Sequence, residues 1–495
     1  MLVMLLGALD QTIMAPALPV VAAELGGLDR MPAVVTAYLA AATVVMPLYG
    51  KLGDRFGRRP VLLVAIGVFV LGAALCATAG SMPALVAFRA VQGVGGGGLM
   101  IGAQAVLGEV VSPRERGRYL GLLGGVYVLA AVGGPLVGGF VIDHGSWRAI
   151  FALYPPLGLL AAVVVVRTVR LPRPQMQRPI DYAGAACLAG TVLAVVLLAD
   201  VAAGTGGRPG WMVPALAVGA VVAGTAWLIT ARYAADPVLP LRLFRDPAVA
   251  IPTAVSFLIG FALFGTISFL PAYLQIAVGT SATRAGLALT CLMAGVIVTI
   301  TLSGRSISRT GRYKAFPVVG TALAAVGLAL LGLVHPATPG PALVAVLLLI
   351  GLGIGLTMQV MMLVAQNGAP RADLGATTSA VTFLRQIGAS AGVAVVGALI
   401  TARFTDRLPA GLADRLPGGV GALSAGGLAA LPPDLRATVA AAFGDAAPPV
   451  FGFVAPLLGV AFLLTLALPT RPLRETAHAD APSTDTTAPA GTPRS

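Results

Sequence analysis

The chain has 495 residues, of which 57% are hydrophobic and 10% charged, and its mean hydropathy is +0.92. Soluble domains carry about 25% charged residues, so this composition excludes a water-soluble fold. The formal net charge is +13. The basic residues lie in short loops between apolar runs, which is typical of membrane topology rather than of nucleic-acid binding.

Apolar stretches long enough to cross the ~30 Å hydrocarbon layer as helices recur along the whole chain. About fourteen spans of ~20 residues are predicted. The first lacks a charged leader and a cleavage site, so we interpret it as a spanning helix rather than a signal peptide. In chain order the predicted spans centre near Ala15, Thr43, Ala73, Gly96, Leu129, Ala161, Leu193, Val221, Leu263, Val296, Ala325, Leu352, Ala391 and Phe462.

The basic residues show a strong sidedness. Most of the 32 Lys and Arg residues fall in alternate loops, which predicts that these loops are cytoplasmic. An even number of spans then places both termini in the cytoplasm of a cell that carries this protein in its plasma membrane. Lys51 and Lys314 are the two lysines among many arginines. With the abundant Ala, Gly and Pro, this usage indicates a GC-rich bacterium.

A charged turn separates the second and third spans, and it has a weaker copy later in the chain. Gly50, Asp54, Arg55, Gly57 and Arg58 are the candidate gating residues of the first copy. Two interpretations stay open: an ion-paired latch that biases a two-state transporter, or a positive-inside topology anchor. In the second copy, Gly304–Arg312, Ser308 replaces the aspartate. Any latch there should therefore be weaker.

The wide spacing between the two copies predicts an insertion between two six-helix halves. Two additional spans, at 181–200 and 211–231, fill the middle. Pro433–Phe443 is predicted to form a short amphipathic helix near the membrane surface. The expected organisation is a bundle at 1–170, an inserted segment at 171–246, a second bundle at 247–475 that includes an extracytoplasmic loop at 403–449, and a disordered cytoplasmic tail at 476–495.

Two ionisable residues are predicted to lie well inside spans. Arg89 has no neighbouring charge in its helix, and Asp10 is the carboxylate placed deepest. Buried charges in membranes are expensive and usually functional, so we predict that Asp10 and Arg89 are a functional pair, in which burial and the arginine charge compete and let Asp10 exchange a proton. The alternatives are that Arg89 hydrogen-bonds neighbouring carbonyls and that Asp10 braces a first helix broken by Pro16 and Pro19.

Other polar residues inside spans are candidates for a substrate cavity, although interhelical hydrogen bonding explains each of them as well. The second half holds few acidic residues, which argues against a strongly cationic substrate. The main candidates are Gln11, Tyr38, Gln92, Tyr273, Gln275, Gln359 and Arg385.

Besides the turn at Gly50–Arg59, five stretches of the sequence form recognisable motifs. They are Leu9-Asp10-Gln11-Thr12-Ile13 with Ala17-Leu18-Pro19, Arg89-Ala90-Val91-Gln92-Gly93, Gly125 with Gly133-Gly134-Pro135 and Gly138-Gly139, Trp147-Arg148-Ala149-Ile150-Phe151, and Phe383-Leu384-Arg385-Gln386-Ile387-Gly388. Together they resemble the motifs of the fourteen-helix drug/proton antiporter branch of the major facilitator superfamily. The resemblance covers nearly the whole chain.

The resemblance implies an all-α membrane fold of two six-helix bundles plus an inserted helix pair. It assigns Arg89 to proton coupling, and Gly134, Pro135 and Gly138 to the seam that distinguishes exporters. The implied function is proton-coupled efflux of a drug, antibiotic or secondary metabolite by a monomer in the lipid bilayer. We expect no enzymatic activity, cofactor, metal or nucleic-acid partner.

Two alternatives remain at this point. A metabolite or siderophore transporter of the same fold would share every feature. A non-transporting membrane sensor would need a polar signalling domain, and no segment is long and polar enough to supply one.

Overall fold

The computed structural model describes residues 1–14, 17–25, 31–171, 181–202, 211–409 and 432–473, and its regular structure in these ranges is entirely helical. The predicted all-α class is confirmed. Two short 3-10 segments span Leu241–Arg245 and Arg371–Asp373. The α-helices are α1 (Leu2–Ile13), α2 (Leu18–Leu25), α3 (Met31–Phe56), α4 (Arg58–Ala77), α5 (Met82–Val110), α6 (Pro113–His144), α7 (Arg148–Ala152), α8 (Tyr154–Thr168), α9 (Tyr182–Ala202), α10 (Met212–Tyr233), α11 (Pro247–Ile276), α12 (Ala282–Thr310), α13 (Ala315–Leu331), α14 (Gly340–Gly368), α15 (Leu374–Arg407) and α16 (Pro433–Leu466).

Helices occupy thirteen of the fourteen predicted centres, and the first centre, Ala15, lies outside the described residues, between α1 and α2. Ten described helical segments are long and apolar enough to cross a membrane, and α1, α9 and α13 are shorter apolar helices. Two spans are broken. The first consists of α1 and α2, and the sixth consists of α7 and α8, where Leu153 is followed after one residue by Pro155 and Pro156. A proline removes a backbone donor and ends or bends the helix before it.

Two hydrophobic clusters organise most of the core. The first joins buried residues of α1, α2, α3, α4, α5, α7 and α8, and the second is built mainly from α11 to α16. Among the described residues, α3 and α4 pack on α5, and α1 packs on α6; in the second set α11 packs on α15, and α12 and α13 pack on α14. This packing gives two six-helix bundles, as the predicted fold class requires.

The two bundles meet along α3 with α15 and along α6 with α12. The first contact is very close at Gly50, where an added Cβ would lie 2.5 Å from Ser379 Oγ and 2.6 Å from the Gly375 carbonyl oxygen. Only a glycine permits this approach of α3 to α15. We call the end of the molecule with Lys51, Arg58 and Glu109 the basic end.

The inserted helices α9 and α10 pack along each other, and α9 also packs against α3 and α15. Leu188, Val192 and Val196 of α9 form a small cluster with Ala40 and Phe383. By contrast, Ala231 is the one buried residue of α10. The pair is therefore attached through α9 at the seam between the bundles, and α10 lies outside it.

The predicted surface helix at Pro433–Phe443 is wrong as a separate element. These residues form the first turns of the continuous helix α16, which has 34 residues. At 1.5 Å per residue it is about 51 Å long, well beyond the ~30 Å hydrocarbon layer. Val439, Ala442 and Phe443 are buried, and the Phe443 ring packs edge-on against Phe404 of α15 at 5.4 Å.

The remaining predictions for this region concern partly described residues. Residues 403–407 and 433–449 of the expected extracytoplasmic loop are helical, whereas 410–431 lie outside the described residues. The predicted disordered tail at 476–495 also lies outside them.

Candidate functional site

The structure brings Asp10 and Arg89 into direct contact at the centre of the first bundle. Asp10 is carried by α1 and Arg89 by α5, and Arg89 Nη1 donates to both Asp10 carboxylate oxygens at 2.9 Å. Asp10 is 0% exposed and Arg89 1% exposed. Two opposite charges taken together out of water compensate each other, while either one alone would be strongly destabilising.

Gln92 closes the ion pair into a network. Arg89 Nη1 also donates to Gln92 Oε1 at 2.8 Å, and Gln92 Nε2 donates to Asp10 Oδ1 at 3.0 Å. Arg89 and Gln92 are three residues apart on α5, so they share one helix face. The Cys76 thiol of α4 lies 3.6 Å from Gln92 Oε1. The amide thus holds both charged partners through one side chain.

Aromatic rings enclose this network. The Arg89 guanidinium lies 4.4 Å from the centroid of the Tyr38 ring and 6.0 Å from that of Phe151, close enough for cation–π attraction. The phenol groups of Tyr38 and Tyr154 also lie beside the Asp10 carboxylate. The result is a closed polar compartment, which we call the ion cage: Asp10, Arg89, Gln92, Tyr38 and Tyr154.

The predicted cavity residues separate into two groups. Gln92 and Tyr38 belong to the ion cage, and Tyr273 is fully buried and packs edge-on against Phe451 at 6.4 Å. These three present no surface to a cargo in this conformation. Gln11 is exposed, and the remaining candidates on α11, α14 and α15 are partly exposed: Gln275, Gln359 and Arg385.

Gln11 is an exposed residue on the side of α1 that carries Met4. It follows Met4 by seven residues, so the two side chains share one face of α1. Met4 is packed in the core cluster of the second bundle, whereas Gln11 is exposed and reaches Met100 Sδ at 3.6 Å. This face of α1 therefore contacts the second bundle at Met4 and is uncovered at Gln11.

Asp54 joins the two bundles at the basic end. Its carboxylate accepts hydrogen bonds from the backbone N–H groups of Gly375 at 3.0 Å and Ala376 at 2.8 Å, in the first turn of α15. The N-terminus of a helix carries a partial positive charge and unpaired N–H groups, so a carboxylate there is stabilised. Asp54 of the first bundle thus caps a helix of the second.

Arg58 holds Asp54 in place. Gly57 adopts a φ of 92° between α3 and α4, a conformation that other residues rarely adopt. This turn directs the Arg58 guanidinium back onto Asp54, with which it is ion-paired, and its Nε bonds Glu109 of α5 at 3.2 Å. We call Asp54, Arg58, Glu109 and the α15 N-terminus the latch.

Arg55 does not belong to the latch. Its guanidinium lies over the Phe56 ring at 5.1 Å, and its Nε is buried with no hydrogen-bond partner among the described residues. The sequence placed Arg55 beside Asp54 and Arg58, but residues adjacent on a helix point in different directions.

Residues 234–246 connect α10 to α11, and we call them the linker. The linker contributes to two ion pairs that the sequence did not predict. Lys51 Nζ of α3 bonds Asp236 Oδ1, and both side chains are buried. Arg242 Nη2 bonds the Asp373 carboxylate at 2.9 and 3.0 Å, directly before α15. The linker therefore connects both bundles at the basic end. Lys51 lies in the last two turns of α3, Asp236 in the loop after α10, and Arg242 and Asp373 in the two 3-10 segments. No periodic pattern in the sequence indicates such pairs.

The second copy of the charged turn lacks such a latch among the described residues. Gly311 repeats the positive φ of Gly57, at 68°. Ser308, which replaces the aspartate, donates instead to the Gly304 carbonyl of its own helix at 2.9 Å. The hydroxyl is satisfied within α12 and carries no charge, which agrees with the weaker latch predicted there.

The glycines of α6 are unequal. An added Cβ at Gly134 would lie 2.1 Å from Thr12 Oγ1, whereas Gly125 and Gly133 have nothing within 4 Å. Thr12 also donates to the Ala130 carbonyl at 2.7 Å. Gly134 thus permits the contact of α6 with α1 two residues after Asp10. Gly138 is buried, and α6 continues through Pro135.

A family model described as Major Facilitator Superfamily matches residues 1–393. The chain belongs to the major facilitator superfamily. Its fold agrees with that of the proton:xylose symporter XylE at a TM-score of 0.62, with 14% identity and 94% of each chain covered. Members of the major facilitator superfamily are transporters and not enzymes.

Three relatives in the major facilitator superfamily are similar to this chain over most of its length. An uncharacterised MFS-type transporter of Mycobacterium tuberculosis is 38% identical and covers 96% of this chain and 69% of its own. The multidrug transporter protein MdtP of Bacillus subtilis is 33% identical, with 82% and 75% covered. Citrate exporter 1 of Yarrowia lipolytica is 31% identical, with 94% and 70% covered. The resemblance inferred from the motifs is confirmed, and the first of these relatives comes from a GC-rich bacterium.

Proposed function

We propose that this chain is an antiporter that exports small hydrophobic or amphipathic compounds, such as drugs, antibiotics or secondary metabolites, in exchange for protons. Residues 1–170 and 247–475 are the two bundles that rock against each other, and 171–246 is an insertion. The observation that carries the proposal is the fully buried pair of Asp10 and Arg89, next to the helix face that carries Gln11.

The ion cage supplies a physical reason for coupling. An arginine stays protonated, so Asp10 is the member of the pair that exchanges a proton. A proton on Asp10 would leave the Arg89 charge without its counter-ion in a closed, buried site, at a cost of about 3–5 kcal/mol. Protonation is therefore favourable only when the site opens and water reaches Arg89. Proton binding to Asp10 is therefore coupled to opening of the ion cage.

The latch sets which end is closed. Under the positive-inside rule the basic end is cytoplasmic, so in the conformation described here the cytoplasmic gate is closed by Asp54, Arg58 and the α15 N-terminus. Gly50 and Gly57 permit that contact. Opening requires Asp54 to leave the α15 N-terminus. A carboxylate at a helix N-terminus is stabilised there by about 0.3–2 kcal/mol, and opening loses this stabilisation.

The α1–α6 contact connects the cage to the moving halves. Thr12 follows Asp10 by two residues and packs on Gly134, and α6 in turn packs on α12 of the other bundle. We infer that Gly134, Pro135 and Gly138 let α6 adjust when Asp10 changes charge. Gln11, Gln275, Gln359 and Arg385 are the proposed cargo contacts.

The test is cargo-dependent proton movement in liposomes that contain the purified protein, an acidic interior and a pH-sensitive dye. A lipophilic cationic dye and an uncharged macrolide are added separately outside. The proposal expects that at least one of them raises the internal pH and accumulates inside. Cargo uptake with no proton movement would show a uniporter, and no uptake of either probe would contradict the assigned cargo class.

Export of a small carboxylate is the second candidate, favoured by the relative named citrate exporter and by Arg385 among the partly exposed residues. The same liposomes distinguish it. Citrate uptake that is coupled to protons, without uptake of the dye or the macrolide, would assign this function and keep Asp10 and Arg89 as the coupling pair.

A further inference from the structure

An apolar cavity of about 650 Å³ lies between the inserted helix pair and the second bundle. Its volume falls within the 300–1,000 Å³ typical of ligand sites. Asp10, Arg89 and the latch are not among its walls. The lining residues come from α9, α10, the linker, α11 and α15, and include Thr191, Trp227, Leu241, Phe244, Ala254 and Leu384.

The cavity occupies the depth of one membrane leaflet. Along α11 its walls run from Ala250 to Leu258, which is about 12 Å at 1.5 Å per residue. Half of the ~30 Å hydrocarbon layer is ~15 Å. Leu239, Leu241 and Phe244 of the linker lie at its basic end. The cavity therefore reaches from the interface towards the bilayer centre within the leaflet at the basic end.

The cavity has an open side towards lipid. Helix α10 packs along α9 and makes no comparable contact with any other described helix. A gap is thus left between α10 and α11, with Trp227 of α10 on one wall and Ala254 of α11 on another. Ala254 is exposed although it lies in a spanning helix. Molecules of the leaflet can enter sideways through this gap.

The basic end of the cavity carries positive charge. Arg245 directly follows the lining residue Phe244, and Arg232 lies in the last turn of α10, five residues after Trp227. Both are exposed, and neither forms an ion pair with a described residue. Arg242 is about half exposed although it pairs with Asp373. Basic pockets between helices at the cytoplasmic side bind anionic lipid headgroups.

We propose that this cavity binds one anionic phospholipid of the cytoplasmic leaflet, with an acyl chain inside the cavity and the phosphate at Arg232 and Arg245. The apolar walls match a hydrocarbon chain, the depth matches one leaflet, and the charge at the rim matches a phosphodiester. The site does not depend on which cargo is exported. It gives the inserted helix pair a role in attaching the protein to lipid.

The test measures lipid binding to the delipidated full-length protein by native mass spectrometry, with phosphatidylglycerol and phosphatidylcholine of the same acyl chains. The wild type is expected to bind one phosphatidylglycerol in preference to phosphatidylcholine. Each arginine near the surface contributes about fivefold in affinity. Replacing both Arg232 and Arg245 by Gln should therefore weaken phosphatidylglycerol binding about 30-fold and leave phosphatidylcholine binding unchanged.

A bulky side chain in the cavity should exclude the acyl chain of the lipid. Ala254→Trp places a large side chain in it and should abolish the tight phosphatidylglycerol site. Val221→Trp is the matched control, because Val221 lies on α10 with 67% of its surface exposed and does not line the cavity. Unchanged phosphatidylglycerol binding in Ala254→Trp, or an unchanged lipid preference in the double arginine variant, would overturn the proposal.

A second measurement covers the case in which Ala254→Trp does not fold. Phosphatidylglycerol with brominated acyl chains should quench Trp227, seen as the fluorescence difference between wild type and Trp227→Phe. Unlabelled phosphatidylglycerol should relieve the quenching at far lower concentration than phosphatidylcholine. Equal relief by both lipids would mean ordinary bilayer contact, and relief by the exported compound alone would assign the cavity to cargo; either result contradicts the lipid site.

Discussion

At the residue scale, the ion cage combines two charges with one neutral amide. Gln92 hydrogen-bonds both Asp10 and Arg89, so it can keep its hydrogen bond to one of them when the other changes its charge or position. The Tyr38 ring keeps Arg89 covered without supplying a negative charge. The pair is therefore strong while both charges are present and costly when one is lost.

The first prediction concerns this asymmetry. Arg89→Gln leaves the Asp10 carboxylate buried without its partner and should destabilise the protein by about 3–5 kcal/mol. Asp10→Asn combined with Arg89→Gln removes both charges and should recover much of that loss. The measurement is thermal or denaturant unfolding in detergent, arranged as a double-mutant cycle. Additive losses in the double variant would mean that the two side chains do not interact in the protein.

The sequence predicted this site only in part. Asp10 and Arg89 were found because ionisable residues inside spans are rare and expensive. Gln92 and Tyr38 were assigned to a cavity, because a polar residue in a spanning helix looks the same whether it faces cargo or another helix. Tyr154 was not identified, since its hydroxyl lies beside Asp10 only after α8 packs near α1.

A second prediction at this scale uses two adjacent glycines. Gly134→Ala should weaken the α1–α6 contact and reduce transport, because the added Cβ meets Thr12 at 2.1 Å. Gly133→Ala is the matched control, since nothing lies within 4 Å of its Cβ and alanine favours a helix by about 1 kcal/mol over glycine. Transport rates at equal expression measure both, and equal rates in the two variants would contradict the assigned contact.

At the scale of elements, the N-terminus of α15 is held from two sides at the basic end. Asp54 caps it from the first bundle, and Asp373 just before it is bound by Arg242 of the linker. The same linker reaches α3 through Lys51 and Asp236. The inserted segment therefore helps the latch to hold the bundles together.

The third prediction tests the linker contact. Lys51→Asp places two buried carboxylates together and should shift the protein towards the form that is open at the basic end. Breaking a buried pair costs about 3–5 kcal/mol, which corresponds to a change of at least a hundredfold in a two-state ratio. Adding Asp236→Lys restores opposite charges and should restore the closed form.

Distances between spin labels at the basic ends of α5 and α14 measure this shift. Arg148→Ala is the control, because its pair with Glu24 is partly exposed and belongs to the opposite end. A closed distance in Lys51→Asp, or an open one in the charge-swapped double variant, would show that the linker pair does not contribute to closure.

At this scale the sequence predicts features of contiguous residues but not contacts between residues far apart in the chain. The turn from Gly50 to Arg58 was recognisable because its residues are contiguous. The partners of Asp54 are backbone N–H groups more than 300 residues later, and backbone groups leave no mark in a sequence. The surface helix was wrong because the buried face of α16 at Val439 and Phe443 resembles an amphipathic face.

At the scale of the whole molecule, hydropathy predicted the helices well, since each span must satisfy its backbone internally and must match the bilayer thickness. The helices through which the two bundles meet could not be predicted from the sequence. That depends on glycine contacts such as Gly50 against Ser379. The molecule described here is closed at its basic end, and its buried ion cage lies in one bundle only.

The central claim is that Asp10 carries the coupled proton, and cargo accumulation driven by a pH gradient tests it most directly. Liposomes with an acidic interior are compared for wild type, Asp10→Asn and the control Asp434→Asn, an exposed residue in the first turn of α16. We expect wild type and Asp434→Asn to accumulate cargo, and Asp10→Asn to exchange labelled for unlabelled cargo without accumulating it. Accumulation by Asp10→Asn that still follows the pH gradient would contradict the account.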